Sequence, residues 1–330
     1  MLDGSAAFRH PGANDPEERA AGEDRLAHVA ILMGTCNGAR FLRAQLATIA
    51  TQSHRDWRLV ASDDGSTDAT RAILAAFRDE MGAGRVEIRE GPRRGFAANF
   101  LALAGDPGIR ADAYAFADQD DLWHQNRLAR GLARLAAVPG GRPGLTGGRT
   151  RLVDEAGMPL GLSPEFRLPP SFENALVQSI AGANTMLFDA PAKRLFEAVP
   201  GVAVVAHDWW AYQLVSGAGG TVIYDPEPFV SYRQHAGNLI GGNRGFRARG
   251  ARLRLLLAGR MAEWTDVNLA ALEAAAPVLT PEAAAKVALL REARGRRLLP
   301  RLALLRRLAL YRQTKAGTAS LWLAGAARLL

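Results

Sequence analysis

Two short acidic runs in this 330-residue chain have the composition to do chemistry. Asp118-Gln119-Asp120-Asp121 places three carboxylates within four residues. Their mutual repulsion must be neutralised by water, by arginine or by a cation. Hard oxygen ligands suit Mg2+ or Mn2+, which take one or two carboxylates and complete their shell with water and substrate phosphates. The same run would equally serve as an acidic loop at the positive end of the next helix. In Asp63-Asp64-Gly65-Ser66, a carboxylate could accept hydrogen bonds from a base or a ribose. That composition also suits a plain β-to-α turn with a serine cap. Asp208, in His207-Asp208-Trp209-Trp210, offers a proton acceptor or simply a carboxylate at a helix start. His235, close to Arg233, is either a ligand or an ordinary histidine. Trp209 and Trp210 offer aromatic faces for a sugar ring or bulk for the core.

The surrounding pattern shows what must position these residues. Short apolar runs over His28–Met33, Trp57–Ser62, Arg85–Arg89 and Asp112–Ala117 read as buried strands. They alternate with helical spacing over Ala39–Ala50, Asp68–Arg78, Gly95–Ala104 and Gln125–Ala136, with Ser66 or Thr67 as the expected cap of the second helix. Such alternation implies βαβ units and a parallel sheet. In such a sheet ligands bind beyond the carboxyl ends of the strands. Gly34-Thr35-Cys36-Asn37, Asp63–Ser66 and Asp118–Asp121 all fall there. No glycine-rich phosphate loop follows the first strand, so the dinucleotide and P-loop patterns lack their main support. Pro139–Gly148 reads as a loop. Strand-like pieces follow at Gly182–Phe188, Thr221–Tyr224 and Phe229–Arg233, with a helix over His207–Val215, and beyond Gly245 the composition is helical.

Composition narrows the class. Hydrophobic residues make up 48% and charged residues 22%, as in soluble globular proteins. No apolar run reaches the roughly 18 residues of a membrane span. Residues 1–26 are polar and read as a flexible leader without a secretory core, so a cytoplasmic location is expected. The one cysteine, Cys36, can form neither an internal disulfide nor a zinc site by itself. Charge is unevenly spread: residues 244–330 carry 17 basic and 5 acidic side chains, whereas the first 243 carry 24 and 28. A basic tail on a slightly acidic body suits nucleic acid or an anionic membrane, a solvated helical face being the plain alternative. In Leu298–Leu308 arginines alternate with leucines as in an interfacial helix, or one packed on the body with its charges outward.

Taken together, the motifs resemble family 2 glycosyltransferases of the GT-A fold over roughly residues 27–243. The resemblance rests on Val29–Gly38, Asp63-Asp64-Gly65-Ser66-Thr67-Asp68, Gly91–Phe100 and Asp118-Gln119-Asp120-Asp121-Leu122-Trp123, and continues through His207–Trp210 and Tyr232–Asn238. The third and fourth look most like the rhamnosyltransferase-type branch. The implied fold is α/β: a Rossmann-like, mostly parallel sheet flanked by helices, with a basic helical C-terminal extension. Its parts would be a nucleotide-binding half over 27–138, an acceptor half over 139–243, and the extension over 244–330.

The resemblance also implies roles. Asp64 matches the residue that reads the base, with Thr35, Cys36, Asn37, Asp63, Asn99, Asp118 and Gln119 around the nucleotide sugar. Asp118 and Asp120 match the metal-binding pair, Asp120 as the direct ligand, and His235 matches a histidine that completes the site with Mg2+ or Mn2+. Asp208 matches the catalytic base of inverting members. Arg93 and Arg94 fall near the sugar or diphosphate, and Trp209 and Trp210 on the acceptor side. Gly182-Ala183-Asn184-Thr185-Met186 begins an acceptor-side segment. Cys36 stands where the family usually has a tyrosine that packs on the base, which weakens base recognition. The processive Gln-x-x-Arg-Trp motif does not occur, so one transfer per encounter is expected. The implied activity moves a sugar, with rhamnose or another deoxysugar as the branch suggests, from a nucleotide donor to a glycan or lipid-linked acceptor of a surface polysaccharide. Peripheral contact with the cytoplasmic leaflet is then expected, and a nucleic-acid partner is not. Two other classes fit parts of the pattern: a non-catalytic nucleotide-sugar-binding protein on the same fold, and a nucleotidyltransferase, which would want a glycine-rich basic first loop.

Overall fold

The computed structural model describes residues 27–235 and 260–330. The expected leader, the boundary at 243/244 and the Ala236-Gly237-Asn238 part of the histidine motif lie outside the described residues. Strand β1 (Val29–Thr35) is followed by helix α1 (Ala39–Ala50), β2 (Trp57–Asp63), α2 (Thr70–Met81), β3 (Val86–Glu90), α3 (Phe96–Gly105) and β4 (Ala113–Ala117). The four strands pair in parallel, and all five residues of β4 are buried. A parallel sheet is covered on both faces, so its strands read as continuous apolar runs. Successive residues of β1 show why: Val29, Ile31 and Met33 join one core, Ala30 and Leu32 the other. Helix α1 meets the first core with Leu42, Leu46 and Ile49, spaced to share one helix face.

Beyond β4 come β5 (Leu122–Trp123), α4 (Arg127–Leu135), β6 (Gly144–Gly148), β7 (Arg151–Val153), β8 (Pro159–Leu162), the short α5 (Phe172–Ala175), β9 (Leu187–Asp189), α6 (Ala190–Ala198), α7 (His207–Gly217), β10 (Thr221–Asp225) and β11 (Val230–Arg233). The main sheet has the order β10-β6-β9-β4-β1-β2-β3, with β9 antiparallel to its neighbours. A second sheet has the order β5-β11-β7-β8. Helices α8 (Arg260–Ala274), α9 (Pro281–Gly295), α10 (Leu298–Arg307) and α11 (Lys315–Ala326) complete the described chain. Their Leu269, Leu290, Leu305 and Leu321 belong to the same core as Phe172 and Leu214, so these helices are built onto the body that carries the main sheet.

Three local expectations are corrected. The end of the Pro139–Gly148 loop is strand β6. Its glycines read as turn formers, but they are there for space: a Cβ on Gly148 would lie 2.3 Å from the Asp225 carbonyl oxygen. Gly182–Phe188 is a 3-10 turn, Ala183–Thr185, that only then enters β9. Neither Ser66 nor Thr67 caps α2, which has no side-chain cap. The Ser66 hydroxyl donates instead to Asp63 Oδ1, and the Thr67 N–H to Asn37 Oδ1.

Candidate active site

The carboxyl ends of β1, β2 and β4 converge as expected. Thr35 Oγ1 donates to Asp63 Oδ1 at 3.0 Å, and Asp63 also accepts from the Ser66 N–H. Asp63 is buried and braces the turn from beneath. Asp64 holds the next loop: Oδ1 accepts from the Arg93 N–H and Oδ2 from the Gly95 N–H. Arg93 and Arg94 are exposed on that loop, with Arg93 at a left-handed φ of 56°. Asn99 lies below the surface, 1% exposed, where its amide exchanges hydrogen bonds with Ser62. It therefore ties α3 to β2 and shapes the site from behind.

Gln119 spans from the acidic run to β1. Its Oε1 accepts from the Cys36 N–H at 2.8 Å, and its Nε2 donates to the Cys36 carbonyl at 3.0 Å. Gly38 makes room for it, since a Cβ there would lie 2.2 Å from Gln119 Oε1. The Cys36 thiol is exposed. Partial burial, with Asp64, Asp63 and Asp68 nearby, raises its pKa. Asn37, at a φ of 49°, donates its N–H to Ser66 Oγ.

The antiparallel pairing of β5 with β11, Leu122 opposite Ser231, returns the chain past the acidic run. Arg233 thereby donates its N–H to Asp121 Oδ1 and its Nε to the Asp120 carbonyl. Two residues further on, His235 Nε2 lies 2.8 Å from Asp120 Oδ2. The structure thus brings together two of the three expected metal ligands, 115 residues apart in sequence. Asp118 is enclosed, its pKa pushed well up by burial and by the charges of Asp121, Asp120 and Asp208. Asp121 is fully buried and accepts from Asn184 Nδ2; burial and Asp120 push its pKa up to about 7. The compensating cation is Arg127, buried against the Trp123 ring at 3.7 Å. It donates to the carbonyls of Asn184, Phe116 and Met186. Desolvation lowers its pKa to about 9, so it stays charged at neutral pH.

Among the described residues no three His, Cys, Asp or Glu side chains close into a complete set of metal ligands. The Asp120 carboxylate and the His235 imidazole are donors of the kind a divalent cation takes when it draws its remaining ligands from further carboxylates, water and a diphosphate.

Asp208 opens α7, near enough to the acidic run that its charge helps to raise the Asp118 pKa. Burial raises its pKa to about 6 against the pull of the Trp209 N–H, which donates to Oδ1 at 2.7 Å. His207 beside it is buried, stacked on Phe100 at 4.0 Å, with neither ring nitrogen partnered. Desolvation takes its pKa down to about 3, which keeps it neutral. The two tryptophans part company. Trp210 is 1% exposed and fills the core, which removes it from the acceptor side. Trp209 is part-buried, anchored by its Nε1 donating to the Ala175 carbonyl, and meets Trp264 edge-on at 6.5 Å. Trp264 belongs to α8, is 38% exposed, and has the Arg260 guanidinium 6.0 Å above its ring. Three other carboxylates that could stand in for Asp208 are taken: Asp225 by Arg130 and Arg134, Glu173 by Lys286, and Glu165 by Arg167.

Arg127 and Trp264 are not found by sequence reasoning, and Arg233 and Asn184 enter it without the role they have here, as hydrogen-bond donors to Asp121. Arginine and asparagine carry no burial signal of their own, and Trp264 sits in a helix far along the chain. Their one trace is indirect: three carboxylates in four residues require a buried cation and donors from somewhere.

Comparison with known proteins agrees with this geometry. The family model "Glycosyl transferase family 2" matches residues 30–142. The dTDP-rhamnosyl transferase RfbG of Shigella flexneri is 26% identical over 240 residues, 68% of this chain and 78% of that one. The UDP-Glc:alpha-D-GlcNAc-diphosphoundecaprenol beta-1,3-glucosyltransferase WfgD of Escherichia coli is 29% identical over 107 residues, 32% of this chain and 40% of that one. Among solved structures, the mannosyltransferase PcManGT from Pyrobaculum calidifontis, in complex with GDP-Man and Mn2+, superposes with a TM-score of 0.51 at 20% identity. That match covers 93% of this chain and 86% of the other. No helix among the described residues is long and apolar enough to cross a membrane. With the sheet, the acidic run at its edge and the family match in agreement, residues 30–142 are those that match the glycosyl transferase family 2 model, the fold is GT-A and the chain is a glycosyltransferase.

Proposed function

We propose that this glycosyltransferase inverts the anomeric centre, depends on Mg2+ or Mn2+, and moves a deoxysugar such as rhamnose from a nucleotide donor to a glycan or lipid-linked acceptor of a surface polysaccharide. The carrying observation is the pairing of Asp120 with His235 at the end of the acidic run, with the buried carboxyl of Asp208 near enough to act on Asp118. Asp118, Asp120 and His235 would hold the cation, which when bound balances the charge gathering on the departing diphosphate. Asp208 takes the proton of the acceptor hydroxyl as its oxygen bonds to the anomeric carbon. The carbon–oxygen bond to the diphosphate breaks on the opposite face, and its electron pair leaves with the nucleotide. A carboxyl with a pKa of about 6 suits this task, being ionised at neutral pH yet more basic than a solvated aspartate. Arg93 and Arg94, exposed on the loop that Asp64 holds, would meet the diphosphate, and the Gln119 bridge would form the floor beneath the nucleotide. The lipid-linked acceptor and the deoxysugar draw support from the names of the relatives above.

The test is a panel of nucleotide sugars with lipid-linked acceptors, with and without Mn2+, and the product anomer assigned by NMR. Metal-dependent transfer with inversion is expected. Retention of configuration, or transfer undiminished by excess chelator, would overturn the respective part of the reading.

A further inference from the structure

The C-terminal helices carry a surface that the catalytic site does not use. From Ala293 to Leu330 the chain has nine basic residues and no acidic one. Helices α10 and α11 form a hairpin. Buried Arg301 near the start of α10 donates to the Gly325 carbonyl near the end of α11, and the charge of Arg328 bears on Arg301. The start of α10 and the end of α11 therefore form one tip. The leucine–arginine alternation of Leu298–Leu308 does not leave a free helix to lie flat on a membrane. Leu305 and Leu308 are spent on the core, with Arg301 locked between the helices. What remains outside is concentrated at the tip: Leu298 at 49%, Leu299 at 77% and, on α11, Leu323 at 70% exposed. Arg297 and Arg328 are exposed beside them, and Arg296 pairs with Glu292.

We propose that this tip docks on the surface of an anionic lipid bilayer, with Leu298, Leu299 and Leu323 entering the headgroup boundary and Arg297 and Arg328 meeting lipid phosphates. Exposed leucines framed by arginine fit that boundary, where apolar burial and anionic attraction add. Duplex nucleic acid offers the leucines nothing to enter. The proposal deepens the reading of a lipid-linked acceptor, yet its test needs neither donor nor acceptor, so the two can fail separately.

The probe is sedimentation of the full chain with vesicles of phosphatidylcholine alone and of phosphatidylcholine mixed with phosphatidylglycerol. The chain should pellet with the anionic vesicles at low salt and be released at high salt, since exposed charges are screened. Leu298→Asp with Leu299→Asp should weaken binding at least about tenfold. Arg297→Gln and Arg328→Gln should each weaken it roughly fivefold. Neither change touches the core, so stabilisation by a nucleoside diphosphate should persist and certify the fold. Equal pelleting with both lipids, or binding undiminished in all variants, overturns the proposal. So does a preference for duplex DNA over anionic vesicles, or a wild-type dimer without vesicle binding that the leucine variant renders monomeric.

Discussion

The two sides of the site are bonded in opposite ways. On the nucleotide side nearly every polar group is engaged by another: Thr35 by Asp63, Asp64 by the Arg93–Gly95 loop, Gln119 by Cys36, Asp121 by Asn184 and Arg233, and Asp120 by His235. On the α7 side, Asp208 is met only by backbone N–H groups, its own and that of Trp209, and His207 takes no hydrogen bond. A saturated network is rigid and pre-shaped, as suits a donor and a cation that must be held in register. A sparsely bonded, desolvated carboxylate is instead kept basic, as suits a group that must accept a proton.

Each prediction attacks or refines that contrast. The largest effect is expected at the sparse side. Asp208→Asn should lower transfer by roughly 10²–10⁴-fold while donor affinity persists. Because burial raises this carboxyl, wild-type kcat/KM should fall as the pH drops through about 6, and the variant should lose that acid limb. The same sign governs stability. Ionised Asp208 is unfavourable in the folded state, so at pH 8 the variant's Tm should match or exceed that of wild type. Equal loss of donor binding and transfer would mean that the contrast is false and Asp208 structural. Next, Asp120→Asn should cost about 10²-fold or more in rate and abolish Mn2+-dependent stabilisation by nucleoside diphosphates, checked by thermal shift. Trp264→Ala should raise the acceptor KM about tenfold with donor affinity unchanged, which steady-state kinetics would read. An effect on donor affinity instead would move the aromatic pair to the other side of the site. The smallest effect is Cys36→Tyr. A ring restored against the base should tighten donor binding roughly threefold by calorimetry, sharpening a side already pre-shaped.

Much of residues 27–138 was legible in the sequence. A strand buried on both faces, such as Ala113–Ala117, is apolar throughout, and α1 falls on the residues its apolar spacing predicts, Ala39–Ala50. The acidic runs are legible too, because carboxylates at strand ends have few purposes. Residues 139–235 were less so. In β6 the glycines serve close packing rather than turning, and local composition cannot tell these apart. Trp209 and Trp210 are adjacent and identical in type, yet one is anchored near the surface and the other fills the core. Only the rotation of α7 against its neighbours decides between them. The Asp120–His235 pair depends on the register of β5 with β11, a long-range property that neither strand carries alone.

The Gln119 bridge has an evolutionary consequence. Because the space over Gly38 is the space Gln119 occupies, the two positions are not free to drift independently. Any side chain at 38 evicts the amide, so Gly38 is a fixed point only while Gln119 remains. Were Gln119 first shortened to serine, the bridge would be given up but alanine at 38 would no longer meet the amide, whereas the reverse order would pass through a clash between the new Cβ and the Gln119 side chain. Such order dependence makes the pair a one-way gate in sequence space, and a designer re-tuning the donor pocket would have to open it from the Gln119 side.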